Sequence, residues 1–425
     1  MTARQLVLYE DQRWRLLRPL TELLPVPALA FGASNLALRW LAATRLPLLS
    51  IEARANAMVL WREDPHALRP RADASAGGGD EAIVVNAAAL PGAWFEEALA
   101  ARAPALWVGD GRVAGGRLPL ASLRGGLGRG EDFETVLLSL ALPALVVGAE
   151  FITWPWDLMA RNPGAIAADL ATMTPGVQGS VHRLACLETP ERIVVGEGAR
   201  VGAYALLDAG SGPISIEPGA VIEPYTHVRG PCVVGAGTQL LGGVVSGTTF
   251  GPECRVAGEV EWSVWQGHAN KRHHGFVGHS ALGEWVNLGA LTTTSDLKNN
   301  YASVRVWAEG REVDTGSSKV GAFVGAHVKT GIGTLLPTGA SVGTAANLFG
   351  GGRFAPKRVP PFAWWDGERF AEHELERCIG TARISVSRRG RTLGPGAESA
   401  LRALHAATAR ERASFAGPPR VPSRA

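Results

Sequence analysis

From Ile193 onward an aliphatic residue followed by a small or polar one recurs every six positions. Val195, Val201 and Leu207 open the series, and after an insertion at Gly210 to Pro213 it resumes at Ile216, Ile222, Val228, Val234 and Leu240. Later phases fall at Leu282 and Leu288, then at Val324, Thr330, Leu336 and Val342. A period of six fits neither a helix face nor a simple alternating strand. Regular glycines (Gly196, Gly202, Gly235, Gly283, Gly289, Gly325, Gly343) are expected to permit a turn after each short strand. The pattern predicts a parallel β-helix, each coil burying its aliphatic corners against its neighbours.

Residues 1 to about 165 read differently. Apolar runs at Gln5 to Tyr9, Ala82 to Val85 and Leu106 to Val108 alternate with helical stretches at Asn35 to Thr44 and Trp94 to Ala103, the pattern of an α/β domain. A break is expected near Asn162-Pro163-Gly164, then a linker with a short helix (Ala165 to Met173) over 166–192, the rod over 193–350 and a tail over 351–425. Helices are expected in the tail around Glu368 to Ile379 and Ala397 to Ala413.

The repeat loses its register from about Trp262 to Phe276 and from about Thr294 to Ser318, which predicts two extruded loops. Gly267 to Tyr301 carries four histidines, two lysines and four asparagines, although a structural repeat needs only small and aliphatic residues. Binding groups usually sit on loops held by a rigid scaffold. His268, His273, His274 and His279 therefore include a candidate general base, since imidazole titrates near neutrality. A metal reading of HxxxxHHxxxxH lacks a nearby carboxylate or cysteine in a familiar zinc pattern, and solvated surface histidines are the plain alternative. Asn287 in a strand pattern is either a site amide or one rung of an asparagine ladder.

The chain holds five lysines, all between residues 271 and 357, against 37 arginines. A compact ammonium suits phosphates, so Lys271, Lys298 and Lys329 point to an anionic ligand along the rod; a lysine preference of rod surfaces is the alternative. Composition, at 46% hydrophobic and 19% charged residues, fits a folded globular chain. A formal net charge of +3, concentrated in the Arg-rich tail after Arg383, gives little support to a nucleic-acid partner. The uncharged run Thr135 to Ala149 contains Pro143 and falls short of the ~20 residues that span a bilayer, so no membrane partner is expected. No signal-peptide core is read at the start. Four widely spaced cysteines without CxxC suggest a reducing, cytoplasmic setting.

The segments IVVGEGARVGAYALLDAGSGPISIEPGAVIEPYTHVRGPCVVG, GEVEWSVWQGHANKRHHGFVGHSALGEWVNLGALTTTSDLKNNY and DTGSSKVGAFVGAHVKTGIGTLLPTGASVG resemble the acetyltransferase half of the bifunctional glucosamine-1-phosphate acetyltransferase and UDP-N-acetylglucosamine pyrophosphorylase family. The chain is most similar to its divergent sugar-nucleotidyltransferase group. The resemblance covers about residues 190 to 365, and LVLYEDQRWRLLRPLTELLPVPALAFGASNLALRW is similar to that group's start. It implies an α/β nucleotidyltransferase-like domain, then a left-handed parallel β-helix with a helical tail. It also implies a homotrimer and acetyl-CoA-dependent N-acetylation of an amino sugar phosphate or nucleotide sugar, in cell-envelope biosynthesis.

The family's general base falls on His273, and its substrate residues on Phe276 and Asn287. Lys271 is a further substrate candidate. Ala290 falls beside the acetyl-CoA site, with Asp296, Lys298 and Lys329 as further cofactor candidates. Phe276 lacks the usual tyrosine hydroxyl, and Leu291 stands where the family has glycine. In the N-terminal part Asp11 is the candidate magnesium ligand, needed only if that domain is active. Its GxGxR phosphate loop is missing, Glu22-Leu23-Leu24-Pro25 replaces Thr-x-Arg-Pro, and VNAAALP lacks the relatives' Arg. Two other functions stay open: nucleotidyl transfer with the rod as scaffold, and a non-catalytic sugar-nucleotide binder.

Overall fold

A computed structural model describes residues 4–63, 70, 80–101 and 103–415. It divides into two units, one built from residues up to 17, 24–29 and 34–154, the other from 18–23, 30–33 and 155 onward. The last residues of the Arg-rich tail lie outside the described residues.

In the first unit the apolar runs become strands β1 (Arg4–Tyr9), β2 (Leu48–Glu52), β3 (Glu81–Asn86), β4 (Ala105–Gly109), β5 (Arg112–Pro119) and β6 (Ala144–Val146). They form one six-stranded sheet in the order β2-β1-β3-β5-β4-β6. β1 pairs in parallel with β2 and β3, while β5 is antiparallel to both its neighbours. The helical stretches become α1 (Leu36–Thr44) and α2 (Ala93–Ala100). α1 starts where Asn35 accepts a hydrogen bond from the Leu38 N–H at 2.9 Å, satisfying one orphan donor of its first turn.

The second unit is a parallel β-solenoid of about 11 turns from residue 176 to 365. It therefore extends at both ends beyond the 193–350 expected from the repeat. A ten-stranded parallel sheet runs down one face, from Gly176–Val177 to Arg358–Val359. Val195, Val201, Leu207, Ile216, Ile222, Val228, Val234 and Leu240 all enter one continuous buried core, as do Leu282, Leu288, Val324, Leu336 and Val342. Fully burying each such side chain contributes roughly 1.5–3 kcal/mol, which is why one position in six dictates the coil.

The repeat's glycines do another job than the one expected. Gly235 and Gly343 are not among the positive-φ residues. A Cβ on Gly235 would lie 2.5 Å from the Phe250 carbonyl oxygen, and one on Gly343 2.4 Å from the Pro361 nitrogen. Close approach of adjacent coils selects glycine there. The left-handed positions hold other glycines, such as Gly198, Gly219 and Gly237, and also large residues, among them Tyr204, Tyr225, Trp262, His279, Trp285 and His327.

The break expected at Asn162-Pro163-Gly164 lies inside a helix, α3 (Pro155–Asp169). Tertiary contacts override the local signal: the Asn162 amide donates to Thr249 Oγ1 at 3.0 Å and accepts from the Gly32 N–H at 2.9 Å. Two short segments before residue 34 also belong to this unit. Glu22, in the altered Thr-x-Arg-Pro position, accepts from the Thr344 N–H at 2.7 Å and pairs with Arg18. Past the rod, Phe370–Glu372 returns antiparallel on Ala363–Trp365 before helices α4 (Leu375–Ser387) and α5 (Pro395–Ala407). Among the described residues no helix is long and apolar enough to cross a membrane.

Candidate functional site

The first expected loop is a small bulge. Val256 faces Lys271 while Glu259 faces Phe276, so the later coil carries two more residues over the same stretch and the ladder continues past them. The bulge presents Arg272, His273 and His274 to solvent. Its main chain is pinned: the Leu291 N–H donates to the His274 carbonyl at 2.9 Å, and the Lys271 ammonium donates to the carbonyls of Ala257 (2.7 Å) and His273 (2.9 Å).

Lys271 was a substrate candidate, but it is 0% exposed and its ammonium is directed inward. Its role here is to hold the His273 turn. Burial lowers its pKa to about 8 from 10.5. The folded state thus binds fewer protons than the unfolded chain between those values, and this group's contribution to stability rises with pH across that window. Lys271→Met should cost roughly 1–3 kcal/mol by leaving two carbonyls short of a donor. The wild-type advantage in melting temperature over this variant should widen from pH 8 to 10; a constant or shrinking gap would contradict the assignment.

Phe276 is half-buried, with its ring tip over Gly278. A Cβ on Gly278 would lie 2.3 Å from Phe276 Cζ and 2.7 Å from Asp296 Oδ2, so Phe276 and Asp296 converge on one spot. The Asn287 side-chain oxygen accepts from the Asn270 amide at 2.7 Å, one rung of an asparagine ladder. The Ala290 carbonyl accepts from the Gly333 N–H at 2.8 Å, and Leu291 next to it is exposed at φ 61°. Only glycine visits that region routinely, which accounts for the family's preference at this position.

The second expected loop is a genuine insertion. An antiparallel hairpin, Arg305–Ala308 with Arg311–Asp314, leaves the rod through a neck closed by a Leu297–Lys319 bridge. Lys298 donates to the Ser303 carbonyl at 2.6 Å inside this insertion, and Lys329 donates to the Trp285 carbonyl at 2.6 Å. Burial lowers Lys329 to about 8 as well. Lys319 pairs with Glu261 at 3.4 Å and Lys357 with Glu312 at 3.6 Å. Each of the five lysines thus has a partner within the chain. For Lys271 and Lys329, a slim ammonium reaches a carbonyl of the neighbouring coil where a guanidinium fork is broader.

Asp296 sits at the hairpin neck, against the rod's corner. It accepts from His279 Nδ1 at 2.7 Å, and Glu261 lies 3.6 Å from the same nitrogen. Ligand atoms of Glu261, His279 and Asp296 all lie within 4.8 Å of one another. Burial opposes ionisation of Asp296, but the hydrogen bond and charge of His279, with Lys319, hold its carboxyl below the ordinary range. The His279 ring stacks on Trp262, centroids 5.7 Å apart. The sequence offers His279 only as one of four candidate bases and gives it no partner; its separation of 17 from Asp296, equal to that of Asn270 from Asn287, is the available signal for vertical neighbours one coil apart.

In the first unit Asp11 is buried and fully engaged. Asp11 Oδ2 accepts from Asn86 Nδ2 (2.8 Å) and Arg112 Nε (3.0 Å), and Oδ1 from the Arg13 N–H (3.1 Å). Arg112 supplies the positive charge beside the carboxylate, so these residues do not fit a magnesium ion at Asp11.

Residues 6–178 match the family model described as sugar nucleotidyl transferase. The chain is 36% identical over 93 residues to a bifunctional sugar-1-phosphate nucleotidylyltransferase/acetyltransferase of Sulfurisphaera tokodaii, covering 22% of this chain and 23% of that protein. It is 30% identical over 177 residues to the bifunctional protein GlmU of an Acidovorax species, covering 40% of this chain and 33% of that protein. The matches thus span about a quarter to a third of these relatives' length. Among solved structures, a UDP-N-acetylglucosamine acyltransferase from Campylobacter jejuni aligns at 14% identity with a TM-score of 0.24, over 54% of this chain and 83% of that one.

Proposed function

Starting from a chain of the GlmU-like family, we propose that this protein transfers an acyl group, acetyl in the simplest case, from an acyl-CoA to an amino sugar phosphate or nucleotide sugar. The observation that carries the reading is His273: an exposed imidazole on a turn pinned through the carbonyls of His273 and His274, next to Phe276. His273 takes the proton of the acceptor amine as its nitrogen attacks the thioester carbonyl. Phe276 and Asn287 line the acceptor side, and main-chain groups near Ala290 polarise the carbonyl. Asp296 remains on this face, whereas Lys298 and Lys329 contribute to the scaffold. The active assembly is a homotrimer, as the family resemblance implies.

A second reading, sugar-1-phosphate nucleotidyl transfer, is favoured by the family match over residues 6–178. Arg112 beside Asp11 weighs against it, and no step is routed through a metal there. Incubating the full chain with pairs of acyl-CoA and amino sugar phosphate should release free thiol at a rate that depends on the acceptor. Acceptor-independent release for every pair would sink the proposal.

A further inference from the structure

We propose that Glu261, His279 and Asp296 form a binding site for one divalent transition-metal ion, of the zinc class, at the neck of the hairpin insertion. This site stands apart from the acyl-transfer chemistry assigned to His273. The carboxylates that the histidine spacing alone lacks lie one coil to either side of His279: Asp296 Oδ2 is 2.7 Å from Nδ1 and Glu261 Oε1 3.6 Å. All three ligand atoms lie within 4.8 Å of one another. The His279, Asp296 and Glu261 side chains are 9%, 12% and 27% exposed, so bulk water competes little for them. One imidazole with two carboxylates suits a zinc-class ion, whereas calcium and magnesium call for oxygen ligands alone.

The main chain holds all three residues in place. The His279 N–H donates to the Glu261 carbonyl at 3.0 Å, the Gly321 N–H to the His279 carbonyl at 2.9 Å and the Val320 N–H to the Asp296 carbonyl at 2.8 Å. Trp262 stacks on the His279 ring at 18°, which fixes the plane in which Nδ1 points. An imidazole that ligates a metal needs its orientation set in this way.

The contacts now made by the two carboxylates are exchangeable. Asp296 is met by His279 Nδ1, and Glu261 by the Lys319 ammonium at 3.4 Å. A divalent ion replaces both: the neutral imidazole carries its proton on Nε2 and ligates through Nδ1, and the Lys319 side chain, 47% exposed, turns to solvent. Bonds of 2.0–2.2 Å place ligand atoms about 3–4.4 Å apart for angles between 90° and 180°. The His279–Asp296 pair therefore opens by about half an ångström and the Glu261–Asp296 pair closes by about as much, within the reach of carboxylate rotation. Three protein ligands leave the remaining positions to water. Bound there, the ion ties Asp296, at the start of the insertion, to the two preceding coils.

The test is calorimetric titration of the full chain, stripped with EDTA and then freed of it, with Zn²⁺, and a thermal melt with and without the ion. Wild type should bind one ion per chain and melt at higher temperature when it is bound, since a ligand of the folded state stabilises it by mass action. His279→Gln and Asp296→Asn should each weaken binding at least about a hundredfold, because even outer partners of a metal ligand are worth ~10–100-fold. Lys319→Met should tighten it about two- to fivefold, the size of an exposed ion pair removed from competition. The double substitution His273→Ala with His274→Ala should leave it unchanged, which separates this site from zinc held by the exposed histidines. No binding by wild type overturns the proposal, and so does binding that survives Asp296→Asn or is lost with His273 and His274. If His279→Gln fails to fold, Asp296→Asn and Lys319→Met decide the matter with their opposite expected shifts. Thiol release plays no part in these readouts, so a failure of the acyl-transfer reading leaves the outcome distinct.

Discussion

Replacing His273 with Ala should lower kcat at least a hundredfold while leaving KM and the melting temperature nearly unchanged. General acid–base assistance contributes ~10²–10⁴ in rate, so its loss sets the size of the effect. The small effect on stability follows from exposure: the ring is solvent-facing, and the turn is held by the Lys271 ammonium and the Leu291 N–H through main-chain carbonyls that an alanine retains. Surface substitutions away from caps and buried networks usually stay within about 0.5 kcal/mol. Steady-state kinetics with a thermal melt checks both halves. Unchanged turnover in a confirmed transfer assay would remove His273 from the chemistry.

Arg112→Ala should destabilise the first unit by about 3–5 kcal/mol, the cost of leaving a buried charge without its partner. The Arg112 and Asp11 side chains are 2% and 3% exposed, with Nη2 2.9 Å from Oδ2, and the guanidinium also covers the Phe151 ring at 4.2 Å. Removing both charges together, in Asp11→Asn with Arg112→Met, should recover most of the loss, because a well-packed neutral pair avoids the desolvation of either ion. Urea unfolding followed by tryptophan fluorescence reads both. A loss below about 1 kcal/mol in Arg112→Ala would mean that Asp11 does not depend on this arginine.

The rod was legible because its interior admits one aliphatic residue per six positions, and Val195 through Val342 announce it one by one. Several corners were not, since their left-handed positions hold Tyr204, Trp262 and His279 where glycine is the usual signal. Within α3 the pattern Asn162-Pro163-Gly164 signals a break and only the part from Ala165 reads as helix, because nothing local reveals that Asn162 bonds to Thr249 and Gly32. The assignment of residues 18–23 and 30–33 to the second unit depends on partners as distant as Thr344, which no local pattern encodes.

At the candidate site, residue types pointed to the right coil but not to their uses. Lysine clustering suggested a ligand, whereas Lys271, Lys298 and Lys329 serve carbonyls whose positions depend on how coils stack. The His279–Asp296 contact likewise emerges only once the coil length is known at that point.

The most direct measurement of the central claim is mass spectrometry of the acceptor after incubation of the full chain with isotopically labelled acetyl-CoA and a panel of amino sugar phosphates. The account predicts label on the amine of one acceptor, equimolar with released thiol and suppressed at least a hundredfold in His273→Ala. Label on no acceptor, or equal labelling by wild type and His273→Ala, would contradict it.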